Sequence, residues 1–177
     1  DKKEKSVSQS REDKLTAIKR KSRYEKQYLK RKQEGKRDNL MGKVIAVCTS
    51  ERKGIQKTSV PEIKVIEDWG IEGDAHAGKW HRQVSLLSFD KIEDFRARGA
   101  EVEDGAFGEN LVVQGIDFAT LPIGTKFQCN DVVLELTQIG KECHSGCAIF
   151  KKMGECIMPK QGVFTKVLHG GVIQPGG

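Results

Sequence analysis

Residues 140–147 read GKECHSGC and hold two of the five cysteines of this 177-residue chain. Lys141 and His144 flank the first thiol, Cys143; the second, Cys147, follows four residues on. Four chemistries compete: a zinc site, a redox pair, one reactive thiol, or a plain loop. The spacing is not the CxxC of redox motifs and zinc ribbons. On a helix, residues four apart share a face, so both thiols could enter one site. Cys156 and His144 could then complete a tetrahedral zinc centre, but the second pair of ligands lacks any recognised spacing. A single reactive thiol fits better. Positive neighbours and a following helix N-terminus each favour the thiolate. Lowering a cysteine pKa from about 8.5 to about 6.5 takes roughly 2.7 kcal/mol, within reach of two cations and a helix end. Cys147 and Cys156 read as auxiliary or packing thiols, and Cys48 and Cys129, in strand-like runs, as core residues.

Two upstream stretches carry further polar chemistry. GDAHAGKWHRQVSLLS (73–88) packs Asp74, His76, Lys79, His81 and Arg82 ahead of a strand. Asp74 and the two histidines are metal-ligand types, yet no HExxH spacing is present. Lys79 and Arg82 suit an anion, Arg82 through its two-pronged guanidinium. The plainer reading is a polar loop whose side chains satisfy its own backbone. DGAFGENLVVQG (104–115) is neither a Walker loop nor a GxGxxG fingerprint. Its glycines allow a tight turn or close approach of backbone to a ligand, and Glu109 and Asn110 follow them.

The elements around these stretches are short. The patterns predict strands over 43–49, 62–66, 83–87, 111–114, 126–129, 132–138 and 162–168, with a hairpin turn at Asn130–Asp131. Helices are predicted over 91–98, capped by Ser88 or Asp90 and stopped by Gly99, and over 146–152. Strands at this spacing mean a mainly β barrel or sandwich interrupted by a few short helices.

The first 40 residues differ: they hold 15 Lys/Arg against 7 Asp/Glu, whereas the remainder holds 16 against 18. Their apolar stripe is thin, so 1–40 reads as a basic, solvated, flexible or partly helical tail. Nucleic-acid binding by it is not expected. MGKVIAV, from Met41, reads as a start followed directly by a first strand. No apolar run approaches a membrane span, no leader is visible, and an odd cysteine number favours a reducing compartment. The expectation is therefore a cytoplasmic protein.

Taken in order, GDAHAG…RQVSLLS, FGENLVVQGIDFATLPIGT, VVLELTQIGKECHSGC and GVFTKVLHGG resemble the MOSC domain, named for the C-terminal domain of molybdenum cofactor sulfurase, and in particular its small stand-alone bacterial members. The resemblance covers 41–177. It implies a MOSC-type β-barrel, with Cys143 carrying sulfur as a persulfide for a metal–sulfur cofactor. It implies that Asp74, His76, Glu109 and Asn110 line the same site, with Arg82 beside them. In this picture Cys143 is the catalytic thiol, Lys141 and His144 stabilise it, and Cys147 can resolve the persulfide to a disulfide. Lys79, Arg82 and the backbone of 105–108 grip an anionic ligand such as a molybdopterin phosphate. Asp74 orients His76 or His81. The expected cofactor is molybdenum cofactor, bound transiently, with no pyridoxal phosphate of its own. Expected partners are a cysteine desulfurase or molybdenum cofactor biosynthesis proteins. The alternative is non-catalytic capture of molybdenum cofactor or molybdate. Relatives continue past GGVIQPGG into another strand, so the last barrel strand is expected to be missing here or supplied otherwise.

Overall fold

The computed structural model describes residues 41–142 and 148–177. The tail and residues 143–147, including Cys143, His144 and Cys147, lie outside the described residues.

The fold is mainly β. Strand β1 (Lys43–Thr49) leads through β2 (Thr58–Val60) to β3 (Ile63–Ile66) and β4 (Gly70–Ile71). After the GDAHAG stretch come β5 (Val84–Ser88), helix α1 (Phe89–Ala97) and β6 (Leu111–Gln114). A single 3-10 turn, Phe118–Thr120, precedes the hairpin of β7 (Lys126–Cys129) and β8 (Val132–Ile139). Two short helices, α2 (Ala148–Met153) and α3 (Met158–Gln161), precede β9 (Val163–His169) and β10 (Gly171–Ile173).

Seven strands form one curled sheet, a half-barrel, in the order β2-β1-β6-β5-β9-β8-β7; β10-β3-β4 form a second, small sheet. Every pairing is antiparallel except β5 with β6. A parallel pair needs a crossover, and α1 supplies it. The small sheet closes over one face of the large one. Ile63, Val65, Ile71 and Ile173 share a core with Val84, Leu86, Leu111, Val132 and Leu136. On the opposite face Cys48, Leu87, Val112 and Phe164 meet Ile92 and Phe95 of α1 and Met158 of α3. Alternation along each strand sends successive side chains into the two cores. All five residues of β5 are buried, as a strand covered on both faces requires.

The mainly β barrel with few helices is therefore what the chain forms. Strands expected at 43–49, 111–114 and 126–129 have those bounds, and the helix expected over 91–98 begins two residues earlier. Ser88 stands at its N-cap without a side-chain cap bond, while Asp90 accepts from the backbone N–H of Gly115 (3.1 Å). Asn130 adopts the left-handed conformation (φ 51°) that a two-residue hairpin needs.

Strands β2, β4 and β10 and helix α3 were not foreseen: each has two to four residues, too few to show a period. Residues after the GG turn form β10, pairing Val172 with Lys64. Gly176 N–H then donates to Val44 O (2.7 Å), and Val44 N–H to Gly177 O (3.1 Å), where β1 shifts register. The terminal residues thus fill the irregularity in β1.

Gly140 ends β8 in the left-handed region (φ 71°), its N–H donating to Gly162 O (2.6 Å). A Cβ there would lie 2.2 Å from Pro159 O, a backbone atom that has nowhere to move. Gly99, also at positive φ, has open space around it. Gly99→Ala should therefore lose only the conformational term, about 1–2 kcal/mol. Gly140→Ala should lose clearly more, as read from urea midpoints; equal losses would contradict the close packing at 140.

Candidate functional site

Strand β1 ends at Thr49, and the next residue meets the GDAHAG loop. Ala75 N–H donates to Ser50 O (2.8 Å), and Ser50 N–H to Asp74 Oδ1 (3.1 Å). The other oxygen of Asp74 accepts from the backbone N–H of His76 (3.1 Å), an Asx turn that folds the loop on itself.

The ammonium of Lys57 completes this arrangement. It donates to Asp74 Oδ1 (2.7 Å), His76 Nδ1 (3.0 Å) and Ser50 Oγ (3.2 Å), so all three of its hydrogens have acceptors. The side chains of Lys57 and Asp74 are both 0% exposed. An ammonium has no lone pair, so Nδ1 of His76 must accept; the proton of the neutral ring is then on Nε2, an assignment that follows from the bonding network. His76 has its pKa driven down to about 4, first by burial and next by Lys57, with Lys53 and Lys141 adding and Asp74 opposing.

Half-buried Trp80 is the hub of the next layer. Its ring stacks parallel to His76 (6.5 Å, 7°), and its Nε1–H donates to His76 O (2.8 Å). Arg82 lies over the Trp80 ring at 4.6 Å and over Phe164 at 5.4 Å, and Lys53 lies over Trp80 at 4.9 Å. Such contacts fix a guanidinium by its faces and leave its edge for an anion. The Nε of Arg82 is buried with no hydrogen-bond partner among the described residues. His81 meets Trp80 edge-on (6.0 Å) and bonds through Nε2 to Gln138 Oε1 (2.8 Å), while Thr137 Oγ1 donates to His81 O. Gln138 Nε2 in turn donates to Gly140 O (2.8 Å). The loop is thereby tied to the strand that leads to Lys141 and then to 143.

The second motif serves this site from behind. Glu109 is 0% exposed, and its carboxyl accepts from Gly105 N–H (2.6 Å) and Phe107 N–H (2.9 Å). Burial nevertheless pushes its pKa up to about 7. The turn it holds grips Lys57: Lys57 N–H donates to Gly105 O (3.0 Å), and a Cβ on Gly105 would lie 2.2 Å from Lys57 O. Asn110 is equally buried. Its Oδ1 accepts from the N–H and hydroxyl of Ser85 (3.0 and 3.1 Å), and its Nδ2 donates to Cys48 O (3.0 Å).

The sequence-derived residues are thus distributed unevenly. His76, His81 and Arg82 come together around Trp80, Asp74 lies behind them against Lys57, and Lys141 is close enough to act on His76. Lys79 is exposed and acts on Asp68 instead. Among the described residues, Glu109 accepts from the N–H groups of Gly105 and Phe107, and Asn110 bonds to Ser85 and Cys48. The expectation that the 105–108 backbone grips an anion is corrected: the N–H groups of 105 and 107 hold Glu109, and those of 106 and 108 bond to Glu103 O and Gly105 O. Asp74 orients His76 through its backbone and through Lys57, not by touching either imidazole.

Lys57, Ser50, Lys53 and Trp80 were not singled out by sequence. Trp80 could have been, lying between two histidines and two residues before Arg82; nothing local separates Lys57 from Lys53, the other lysine of its loop. Among the described residues no group of three or more His, Cys, Asp or Glu could hold a metal. Cys48 is sealed in the core, its thiol pushed up to about 12 by burial, as suits a packing residue. No helix among the described residues is long and apolar enough to cross a membrane.

The family model of the MOSC domain matches residues 73–177, more than half of the chain. The chain belongs to the MOSC domain family. That family is linked generally to molybdenum cofactor sulfurase-like function and so to the molybdenum cofactor. No curated protein matches. Solved structures share the fold: the YuaD protein from Bacillus subtilis at 16% identity and TM-score 0.64, covering 77% of this chain and 93% of that one. YiiM from Geobacillus stearothermophilus is 20% identical with TM-score 0.58, covering 77% and 72%. YiiM from Escherichia coli is 19% identical with TM-score 0.54, covering 76% and 66%. At these identities the likeness is one of fold.

Removing one partner of a buried ion pair strands the other charge. Lys57→Met should destabilise by about 3–5 kcal/mol in urea unfolding, and Lys57→Met with Asp74→Asn should recover much of that. Two buried groups set opposing pH slopes. His76 is depressed from 6.5, so its contribution is complete above pH 6.5 and is lost as pH falls towards 4. Glu109 is raised from 4.5, so its contribution is complete below pH 4.5 and is lost as pH rises through 7. With His76→Asn, stability should fall more steeply than wild type from pH 4.5 to 7; with Glu109→Gln it should rise from 4 to 6.5. Denaturation midpoints across pH check both.

Proposed function

We propose that this MOSC domain is a sulfur carrier that holds sulfane sulfur on Cys143 beside an anion-binding surface centred on Trp80. The observation that carries the reading is the charge balance around that ring. Lys53 and Lys141 act on a neutral imidazole, Arg82 lies over the neighbouring Trp80 ring, and the one carboxylate acting on that imidazole among the described residues, Asp74, is already neutralised by Lys57. Such a surface favours anions and thiolates. In sequence, Lys141 stands two residues before Cys143.

In the transfer, the Cys143 thiolate attacks the terminal sulfur of a donor persulfide, as a cysteine desulfurase carries. A new S–S bond forms at Cys143, the donor's S–S bond breaks, and the donor cysteine leaves as its thiolate, so no net oxidant is needed. Lys141 stabilises the anion before and after the step, and His144 is assigned the same role. The orphaned Nε of Arg82 and the surplus of cations fit an anionic pterin phosphate, which Arg82, Lys53 and Lys141 would hold. When bound, molybdenum cofactor would supply the metal centre that receives sulfur. The buried Nε of Arg82, without a hydrogen-bond partner among the described residues, also favours a second reading, capture of that cofactor or of molybdate without sulfur transfer.

The test is intact-protein mass spectrometry after incubation with a cysteine desulfurase and cysteine. Wild type should gain about 32 Da per sulfur, reversible by a reducing thiol. Cys143→Ser should lose that gain and Cys147→Ser should keep it. Equal uptake by Cys143→Ser would reject the carrier role, and stoichiometric pterin fluorescence without sulfur uptake would establish capture instead.

A further inference from the structure

Lys57 lies outside the four motifs, yet it touches both functional-loop residues, Asp74 and His76. From this contact we propose that Lys57 is a positioning residue: it locks His76 in the neutral form with its proton on Nε2, making His76 a permanent hydrogen-bond donor to a ligand that arrives as an anion. This deepens the anion-handling reading and rests on it only for what the ligand is; the state of His76 is independent of it.

The geometry carries the assignment. A histidine open on both nitrogens exchanges tautomers and takes up a proton near pH 6.5. Here Nδ1 is occupied by a donor that cannot accept, so a proton cannot enter there without displacing Lys57. Lys57 cannot turn away, because its other two hydrogens are held by Asp74 and Ser50 and its backbone by Gly105. Nε2 has no hydrogen-bond partner among the described residues, and the ring plane is fixed by Trp80. The charged groups acting on the ring are Lys57 and Lys53 from the β1–β2 loop, Asp74 from its own loop, and Lys141 after β8. Three of the four are cations, which disfavour the imidazolium. The fixed Nε2–H accordingly suits acceptors with no proton to share, such as a phosphate oxygen, an oxyanion or a thiolate, and it cannot serve as an acid that is recharged at neutral pH. A ligand needing a protonated histidine would find none.

Two-bond 1H–15N correlation spectra of the full chain with labelled histidine distinguish the three imidazole states directly. Wild-type His76 should show the Nε2–H tautomer at pH 7 and keep it until the midpoint near pH 4. In Lys57→Met/Asp74→Asn, which leaves no unpaired charge behind, the ring should populate both tautomers and titrate nearer the ordinary value of about 6.5. Lys57→Arg, which restores a donor, should return the Nε2–H signature. With inorganic phosphate as the probe, the wild-type Nε2 resonance should move and that of the double variant should move less.

Finding Nδ1–H or imidazolium at pH 7 in wild type would overturn the proposal whatever the variants do. So would a folded double variant whose His76 keeps the wild-type tautomer and midpoint. Loss of sulfur uptake at Cys143 with these spectra intact would sink the carrier reading alone.

Discussion

One buried ion pair organises the functional face of this domain. Lys57 and Asp74 sit out of water, and such a pair survives only if nearly every hydrogen-bonding site of both partners is filled. The arrangement meets that demand. The ammonium has three acceptors, and the carboxylate takes two backbone N–H groups as well as the ammonium. Those bonds join the end of β1, the approach to β2 and the loop after β4. The half-buried cluster of Trp80, Arg82 and His76 rests on this pair, because the loop that presents them is shaped by Asp74 and the orientation of His76 by Lys57.

Behind the pair stands a second buried carboxyl with another task. Glu109 closes the turn at 105–108, and that turn holds the backbone of Lys57. Asn110 ties β1 to β5 at the start of β6. The GEN motif is therefore linked to the Trp80 cluster through a chain of contacts. A polar motif near a functional site and a polar motif inside the wall of that site look alike in a linear sequence.

This explains which parts were legible beforehand. Strands β1 and β6 showed as short continuous apolar runs and β7 by its alternation, and the hairpin at Asn130 showed because its turn chemistry is local. The cluster of Asp74, His76, His81 and Arg82 showed because it lies within nine residues. Lys57 did not, since its importance comes from a partner 17 residues away and it shares its loop with another lysine, Lys53. Strands β4 and β10 did not, because two or three residues carry no periodic signal, and their pairing with β3 is a tertiary event. The 105–108 backbone was misread for a related reason: its glycines signal freedom to turn, and only the structure shows that the N–H groups face inward to Glu109.

The Asn110 junction has a kinetic side. It brings together backbone near residues 48, 85 and 110, contacts separated by 25 and 62 positions along the chain. None of these bonds can close until three distant stretches have met, and the entropy of closing such loops must be overcome before any of the bonds contributes. Folding of this domain is consequently expected on the millisecond-to-second scale of non-local β topologies, with the face that carries Trp80 maturing only after β1, β5 and β6 have found one another.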